Sequence, residues 1–451
     1  MLLAALPAAA QTAVPQSRAE IGLGFVPVVR KATPAVVNIY ARRIVEERVS
    51  PFAGDPLFQN LFRDFGVPRA RVQNSLGSGV IVDGGGLVVS NNHVVGGADD
   101  IRVVLNDRRE FSARLLLADA ETDLAVLQIE GADALPALAL RDSDTVAVGE
   151  LVLAIGNPFG VGQTVSSGIV SGLARSGTAA GTGRGYFIQT DAPINPGNSG
   201  GALVDVNGDL IGINTAILSR SGGSNGIGFA IPAALVAQFV KQAQAGNDSF
   251  RRPWAGMRGQ AVTVDMAEGL GMSRPEGLIV TALHPESPFV DAGLRRGDVI
   301  TALDGRSVRS MAGLAFRMAL AGIGAEVTVT RLRDGATAQL PVVLRAAPDT
   351  PPRGRMRTGR RAAIAGMTLS DLSPRVIDKL DLPLTASGAV VEDPGPAGAR
   401  AGLKAGDVLM AINGRRVDGA ADARRLLRRV GDRLALQVLR GDRRLLLRFR
   451  L

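Results

Sequence analysis

The 451-residue chain has no cysteine, two histidines, two tyrosines and one tryptophan. Without cysteine there is no disulfide framework and no thiolate metal site. The two histidines, His93 and His284, are far apart in sequence, so a zinc site is not expected, and neither is any other metal or cofactor. No glycine-rich loop ending in Gly-Lys-Ser/Thr occurs, which removes nucleotide hydrolysis from the expectations. No apolar run reaches the length of a membrane span, about 20 residues. Missing cysteine says little about compartment, because an oxidising space permits disulfides without requiring them. What the chain has in quantity is glycine, 56 residues, which suits a loop-rich β protein. Its hydrophobic content of 46% is enough for ordinary cores, and its length implies two or three domains.

The N-terminus reads as an export remnant. Met1–Ala13 is apolar and small, and Ala8-Ala9-Ala10 resembles an A-x-A cleavage site. A positively charged start is missing, which a start placed too far downstream accounts for. Residues 1–19 are therefore assigned to a signal-peptide remnant with a disordered N-terminus, and the protein to an exported, periplasmic location.

Charge is uneven. The net charge is +9, but residues 346–451 carry 21 Lys and Arg against 11 Asp and Glu, leaving the rest at −1. An acidic client or an anionic lipid surface is a conceivable partner for that quarter, without any anchor. The Arg424-Arg425-Leu-Leu-Arg428-Arg429 run reads more simply as a solvated helix face. No aromatics are interleaved with the basic residues, so nucleic acid is not an expected partner.

Gly197-Asn198-Ser199-Gly200-Gly201 presents a hydroxyl between glycines, where a tight turn can expose it and let a substrate approach closely. Serine is a weak nucleophile until a base takes its proton. Neutral histidine is the base suited to near-neutral pH. His93 lies upstream in Ser-Asn-Asn-His-Val-Val, and Asp123 follows 30 residues later, opening the apolar run Asp-Leu-Ala-Val-Leu-Gln-Ile. An aspartate fixes the imidazole tautomer and stabilises the imidazolium. Asp123 alone reads equally well as a strand cap, and His93 alone as a surface residue. His, Asp and Ser together, in that order, imply acyl transfer by a serine peptidase. The N–H groups of Gly197 and Ser199 are the expected oxyanion donors. His284, in Leu-His-Pro-Glu-Ser-Pro, reads as a solvated loop residue.

Several blocks together resemble the HtrA family, in its two-PDZ DegP/DegQ form. They are Ser90-Asn-Asn-His93-Val-Val, Thr122-Asp123-Leu-Ala-Val-Leu, Ala154-Ile-Gly-Asn-Pro-Phe-Gly160, Asp191-Ala-Pro-Ile-Asn-Pro-Gly-Asn-Ser199-Gly-Gly and Gly226-Ile-Gly-Phe-Ala-Ile-Pro232. The resemblance covers roughly residues 20 to 451. It implies a mostly β fold: a chymotrypsin-like pair of six-stranded barrels over residues 20–246, then PDZ domains over 253–345 and 362–451, joined by a mobile Pro- and Arg-rich linker at 346–361. The residues alone predict many short strands and a helix over 232–245, opened by Pro232 and closed by Gly246. Residues 46–74 are expected as a loop, the family's short LA loop.

An internal repeat supports the paired modules. Ala292-Gly-Leu-Arg-Arg-Gly-Asp-Val-Ile recurs as Ala401-Gly-Leu-Lys-Ala-Gly-Asp-Val-Leu, an offset of 109 residues. By resemblance, Ala255, Gly256 and Met257, and again Ala365, Gly366 and Met367, form loops that take a peptide's terminal carboxylate. Trp254 is either core or groove wall. The resemblance further places Pro193 at the base of the S1 pocket. There it offers no acid for Lys or Arg, and Ile194, Ile211, Ile213 and Ile217 are expected as pocket walls. Arg175, beside a glycine-rich segment, matches the family's signalling arginine. The implied activity is ATP-independent endoproteolysis of misfolded envelope proteins after small or medium aliphatic residues, with chaperone activity as a companion. A holdase dominated by peptide binding is the alternative. Unfolded proteins and C-terminal peptides are the expected partners. A homotrimer or an assembly of trimers, built near Phe25, is the expected state.

Overall fold

The structure is a computed structural model that describes residues 24–49, 67–157, 162–176, 186–195, 197–217 and 225–450, with backbone alone at 45–49, 67–71, 174–176 and 216–217. The proposed signal remnant, the tip of the 46–74 segment, the 177–185 stretch and Pro196 lie outside the described residues. The chain divides between Phe250 and Arg251 into two compact units.

The first unit opens with helix α1 (Val26–Ala32) and holds two closed barrels. Barrel one is built from β1 (Val36–Val49), β2 (Val67–Asp83), β3 (Leu87–Ser90), β4 (Asp100–Val104), β5 (Glu110–Asp119) and β6 (Leu124–Ile129), in the order β1-β2-β3-β6-β5-β4. A one-turn helix, α2 (Asn92–Val95), follows β3. Barrel two comprises β7 (Leu151–Gly156), β8 (Thr164–Ser176), β9 (Tyr186–Thr190), β10 (Ala202–Asp205), β11 (Leu210–Ile217) and β12 (Gly228–Pro232), in the order β10-β11-β12-β9-β8-β7.

Continuous apolar runs such as Leu124-Ala-Val-Leu and Leu151-Val-Leu-Ala-Ile form strands whose faces are both covered, by the barrel interior on one side and by neighbouring segments on the other. β5 alternates only loosely and is the strand that sequence patterning does not find. The 46–74 segment differs from the loop expectation too. β1 and β2 continue pairing down to Val49 opposite Val67, so its described ends, 46–49 and 67–74, belong to a two-stranded ribbon. The predicted helix is present as α3 (Ala233–Gln244), beginning right after Pro232, with Gly246 at φ +80° beyond its end. It buries Leu235, Val236 and Phe239, each worth about 1.5–3 kcal/mol. Phe239 stacks on Phe250 at 3.9 Å between ring centres.

The second unit contains two sheets of matching plan. The first runs β13 (Met257–Ala261), β14 (Leu278–Leu283), β15 (Val299–Leu303), β17 (Glu326–Arg333) and β18 (Ala336–Val343), with β16 (Arg306–Ser307) beside β15. Helices α4 (Val264–Gly269), α5 (Pro288–Asp291) and α6 (Met311–Ala321) complete it. The second sheet runs β19 (Met356–Arg357), β20 (Thr368–Asp371), β21 (Ala389–Asp393), β22 (Val408–Ile412), β24 (Arg433–Arg440) and β25 (Arg443–Arg450), with β23 (Arg415–Arg416) beside β22. Its helices are α7 (Pro374–Lys379), α8 (Gly395–Arg400) and α9 (Ala420–Leu427). The mobile-linker expectation for 346–361 gives way here, since part of that segment is strand β19 of the second module.

The repeated Gly-Asp-Val block has a physical role. Asp298 accepts from the backbone N–H of Arg295 at 2.8 Å, and Asp407 from that of Lys404 at 2.8 Å. Each carboxylate, 1% exposed, also binds an arginine from a later strand through two nitrogens: Arg333 for Asp298 and Arg440 for Asp407. The aspartate thus closes the turn and ties it to the sheet.

Candidate active site

β3 ends at Ser90 and α2 carries His93, while the turn before β6 carries Asp123. Asp123 sits at φ +57°, a left-handed conformation that a short polar residue tolerates. In that pose its backbone carbonyl takes hydrogen bonds from the Asn92 N–H and the Asn91 side-chain amide. The carboxylate then faces His93. Oδ1 accepts from the His93 backbone N–H at 2.9 Å and Oδ2 lies 2.7 Å from Nδ1. This contact fixes the proton on Nδ1 and leaves Nε2 as the basic nitrogen.

Ser199 comes from barrel two, on the turn before β10. Its hydroxyl donates to the backbone carbonyl of Thr215 at 3.2 Å rather than to the imidazole. The turn is pinned on several sides. Ser78 N–H donates to the Ser199 carbonyl, and Gly200 N–H to the Asn214 carbonyl. The glycines are obligatory here. Gly200 has φ +83°, and an added Cβ would lie 2.1 Å from the Ser78 carbonyl oxygen. A Cβ on Gly201 would lie 2.2 Å from the Ile155 carbonyl. The N–H groups of Gly197 and Ser199 donate to no other described residue, which leaves them available to an incoming oxyanion.

Three residues that sequence reasoning passes over hold the site together. Thr215 donates its hydroxyl to Asp123 Oδ2 at 2.8 Å while its carbonyl receives Ser199, so one residue of β11 touches both. Ser78, fully buried on β2, donates to the Gly197 carbonyl at 2.7 Å and accepts from the Asn157 N–H at 2.9 Å. Ser90 in turn donates to the Ser78 carbonyl at 2.7 Å. Small hydroxyl residues in strand-like sequence carry no signal of such a role.

The pocket expectation needs correction. Ile194, Ile211 and Ile213 are fully buried, with Ile194 and Ile211 in the core cluster of barrel two, so none faces a substrate. Ile211 and Ile213 lie on β11, which is buried at every position from 211 to 215, and Ile194 lies on the segment leading to the Ser199 turn. Pro193 is exposed, and its carbonyl accepts from Ser166. The Ile217 side chain lies outside the described residues, as does that of Arg175, whose backbone pairs with Phe187 at the end of β8.

Outside the barrels, Gly256 has φ +58° and Gly366 φ +79°, so each sits at a left-handed turn. His284 is not a solvated loop residue. Its backbone N–H donates to the Gly256 carbonyl at 2.7 Å, its Nδ1 accepts from the Glu286 N–H, and its ring meets Trp254 edge-on at 5.3 Å. Burial holds the imidazole below the usual histidine pKa, outweighing the attraction of Glu286. Trp254 is buried beneath the Gly256 turn, core rather than open wall. The second loop is engaged by its own chain: Thr358 accepts from the N–H groups of Gly366 and Met367.

Residues 77–213 match the trypsin-like peptidase domain family, and residues 254–344 and 389–440 each match a PDZ domain family. The chain is 39% identical over 429 residues to a probable periplasmic serine protease do/HhoA-like of Haemophilus influenzae, covering 92% of this chain and 89% of the relative. It is 38% identical to the periplasmic pH-dependent serine endoprotease DegQ of Escherichia coli K12, covering 92% and 89%. To the periplasmic serine endoprotease DegP of the same strain it is 38% identical, covering 87% and 80%. Among solved structures, the HtrA-type protease AlgW with decapeptide superposes with a TM-score of 0.54 at 42% identity, covering 73% of this chain and 99% of that one.

Proposed function

The chain belongs to the HtrA family of serine endoproteases, and from that premise we propose that it degrades unfolded envelope proteins in the periplasm with Ser199 as nucleophile, His93 as general base and Asp123 as its orienting carboxylate. The observation that carries this reading is the 2.7 Å contact between His93 Nδ1 and Asp123 Oδ2, with Thr215 linking that pair to Ser199. For attack, Ser199 leaves the Thr215 carbonyl and turns its hydroxyl towards His93 Nε2, which takes the proton. The tetrahedral oxyanion is received by the Gly197 and Ser199 N–H groups. His93 then returns the proton to the leaving amine, and water repeats the sequence on the acyl-enzyme.

Cleavage after small or medium aliphatic residues rests on Pro193, six positions before Ser199, where no carboxylate awaits a basic side chain. C-terminal peptides dock in the first PDZ module at Ala255, Gly256 and Met257 by strand addition. Their docking activates the barrels through Arg175. Self-association, a homotrimer or more, uses the N-terminal segment around Phe25, where Val26 is 54% exposed. Residues 1–19 belong to the export signal, and chaperone activity accompanies proteolysis.

The test is digestion of unfolded casein by the wild type and by Ser199→Ala. Loss on the order of 10⁴-fold, with binding of the unfolded chain retained, is expected. Turnover near wild type in the variant overturns the assignment.

A further inference from the structure

A PDZ ligand joins the receiving sheet as an extra strand and places its terminal carboxylate in a nest of backbone N–H groups. That requires an open sheet edge beside the nest. In the first module the strand after the nest is β13, the last strand of its sheet, and no described segment pairs with its outer edge. The corresponding strand of the second module, from the repeat offset, is β20. It is not the last strand, because β19 lies outside it.

β19 runs antiparallel to β20, with Met356 opposite Leu369 and Arg357 opposite Thr368. Its direction is that of an added C-terminal peptide, since it advances towards the Ala365–Met367 loop. Where a terminal carboxylate belongs, Thr358 supplies two oxygens. Its carbonyl accepts from the Gly366 N–H at 3.1 Å, and Oγ1 accepts from the Met367 N–H at 2.9 Å. The Thr358 N–H donates to the Met367 carbonyl at 2.8 Å, its hydroxyl to the Ile364 carbonyl at 2.7 Å, and the residue is 3% exposed. Met356 packs against the core cluster that includes Ala420, Ala423 and Leu427 of α9, as a ligand side chain fills a pocket between strand and helix. Upstream, the Asp371 N–H donates to the Arg353 carbonyl at 3.0 Å, Arg355 pairs with Glu392 at 2.6 Å, and Ser373 donates to Asp349 at 2.9 Å.

We propose that residues 353–358 are a built-in ligand of the second PDZ module, so that this module is closed to free C-terminal peptides and each chain offers one open peptide site, on the first module. The receptor half of this statement rests on the peptide-docking reading given above; the occupancy half does not. Tethering makes the closure effective. A segment on a short linker acts at an effective concentration of about 1 mM. A free peptide at about 10 µM therefore needs roughly 100-fold higher intrinsic affinity to share the groove equally.

The absence of cysteine makes the test clean. In the full-length chain, Arg357→Cys with Thr368→Cys places two thiols at paired positions of neighbouring strands, within reach of a disulfide. Quantitative intramolecular cross-linking on mild oxidation is expected, mapped by proteolysis and mass spectrometry. Titration with a fluorescent decapeptide ending in aliphatic residues and a free carboxylate is expected to give one site per chain, unchanged by the cross-link. Gly256→Val should remove that site, because its Cβ meets the Trp254 ring and Ser287 at 2.8 and 2.9 Å. Met356→Ala with Thr358→Val, which empties the pocket and removes an acceptor, should raise the count to two. Thiols that stay free in the folded chain, or two sites in the wild type, overturn the proposal. So does a Gly256→Val chain that still binds one peptide. An uncapped chain with an intact thermal transition and still one site overturns the claim that the groove beneath is a receptor. Cross-linking in a wild-type background that binds no peptide at all sinks the docking reading of the first module and leaves the self-occupied groove standing.

Discussion

The hydroxyl of Thr215, on barrel two, donates to Oδ2 of Asp123, on barrel one, at 2.8 Å. The same Oδ2 faces His93 Nδ1, so Thr215 holds the carboxylate at the angle the imidazole needs. Thr215→Val keeps the shape and deletes the donor. A hydrogen bond to a charged group is worth about 1.5–3 kcal/mol. The expected result is a fall in kcat of roughly tenfold to a hundredfold with little change in KM. Kinetics on a peptide substrate check it; an unchanged kcat means the carboxylate is oriented by its other partners alone.

Ser78 makes a second bridge, from β2 to the Gly197 carbonyl and the Asn157 N–H. Ser78→Ala leaves the buried Asn157 N–H and the part-buried Gly197 carbonyl without this partner, at a cost of about 1–3 kcal/mol. Thermal unfolding should shift down. Because Gly197 belongs to the oxyanion turn, kcat should fall as well, while KM holds. A stability loss with full kcat in the folded variant assigns Ser78 a packing role only. Ser78→Thr, which restores the hydroxyl, is the control.

Most strands of the first unit, β5 excepted, were legible in the sequence because they are apolar runs ended by glycine and aspartate, while their closure into two barrels was what the family resemblance implied. The candidate triad could be read because nucleophile, base and carboxylate each sit in a local motif. Thr215 and Ser78 were not legible, since their roles depend on which strands close the barrels, and a lone hydroxyl in a strand announces nothing. Ile194 and Ile213 were misplaced for a related reason: apolar residues near a serine motif suit a pocket or a core equally, and only the packing around them decides. The 346–361 segment misled through its Pro and Arg content. Those residues describe a chain with little reason to form its own core, and the structure lays part of it on a neighbouring sheet edge instead.

His284 gives the first PDZ module a pH dependence. Its Nδ1 accepts a hydrogen bond from the Glu286 N–H, which the protonated ring cannot do. Burial lowers its pKa, so the folded module binds the proton less readily than the unfolded chain. Stability from this residue is therefore full above the ordinary histidine pKa of about 6.5 and is lost as pH falls through and below it. Peptide affinity of the first module should decline over the same range, because the His284 N–H supports the Gly256 turn. Titrating the fluorescent peptide between pH 7.5 and pH 5, values chosen to span about 6.5, checks this. His284→Gln should flatten the profile; a slope that survives in that variant places the titrating group elsewhere.

Asp298 and Arg333 predict an acid limit for the same module. Burial opposes ionisation of Asp298, but its hydrogen bonds to Arg333, with the Arg295 N–H adding to them, prevail and hold the carboxyl below its usual pKa. The sign is the reverse of an acid left unpaired. Stability is present above the unfolded carboxyl pKa, about 4, and is lost as pH falls below it through the folded value. Asp298→Asn keeps the size and removes the charge. Breaking a buried pair costs about 3–5 kcal/mol, and the lower half of that range or less is expected here because Arg333 is itself 26% exposed. Denaturant unfolding of the full chain should show the first module's transition moved down and its acid sensitivity reduced. Asp407→Asn should likewise move the second module's transition down at neutral pH, since its Asp407–Arg440 pair repeats the geometry. If Asp298→Asn leaves the transition unmoved at neutral pH, the pair contributes no net stability and the repeated aspartate serves only to close its turn.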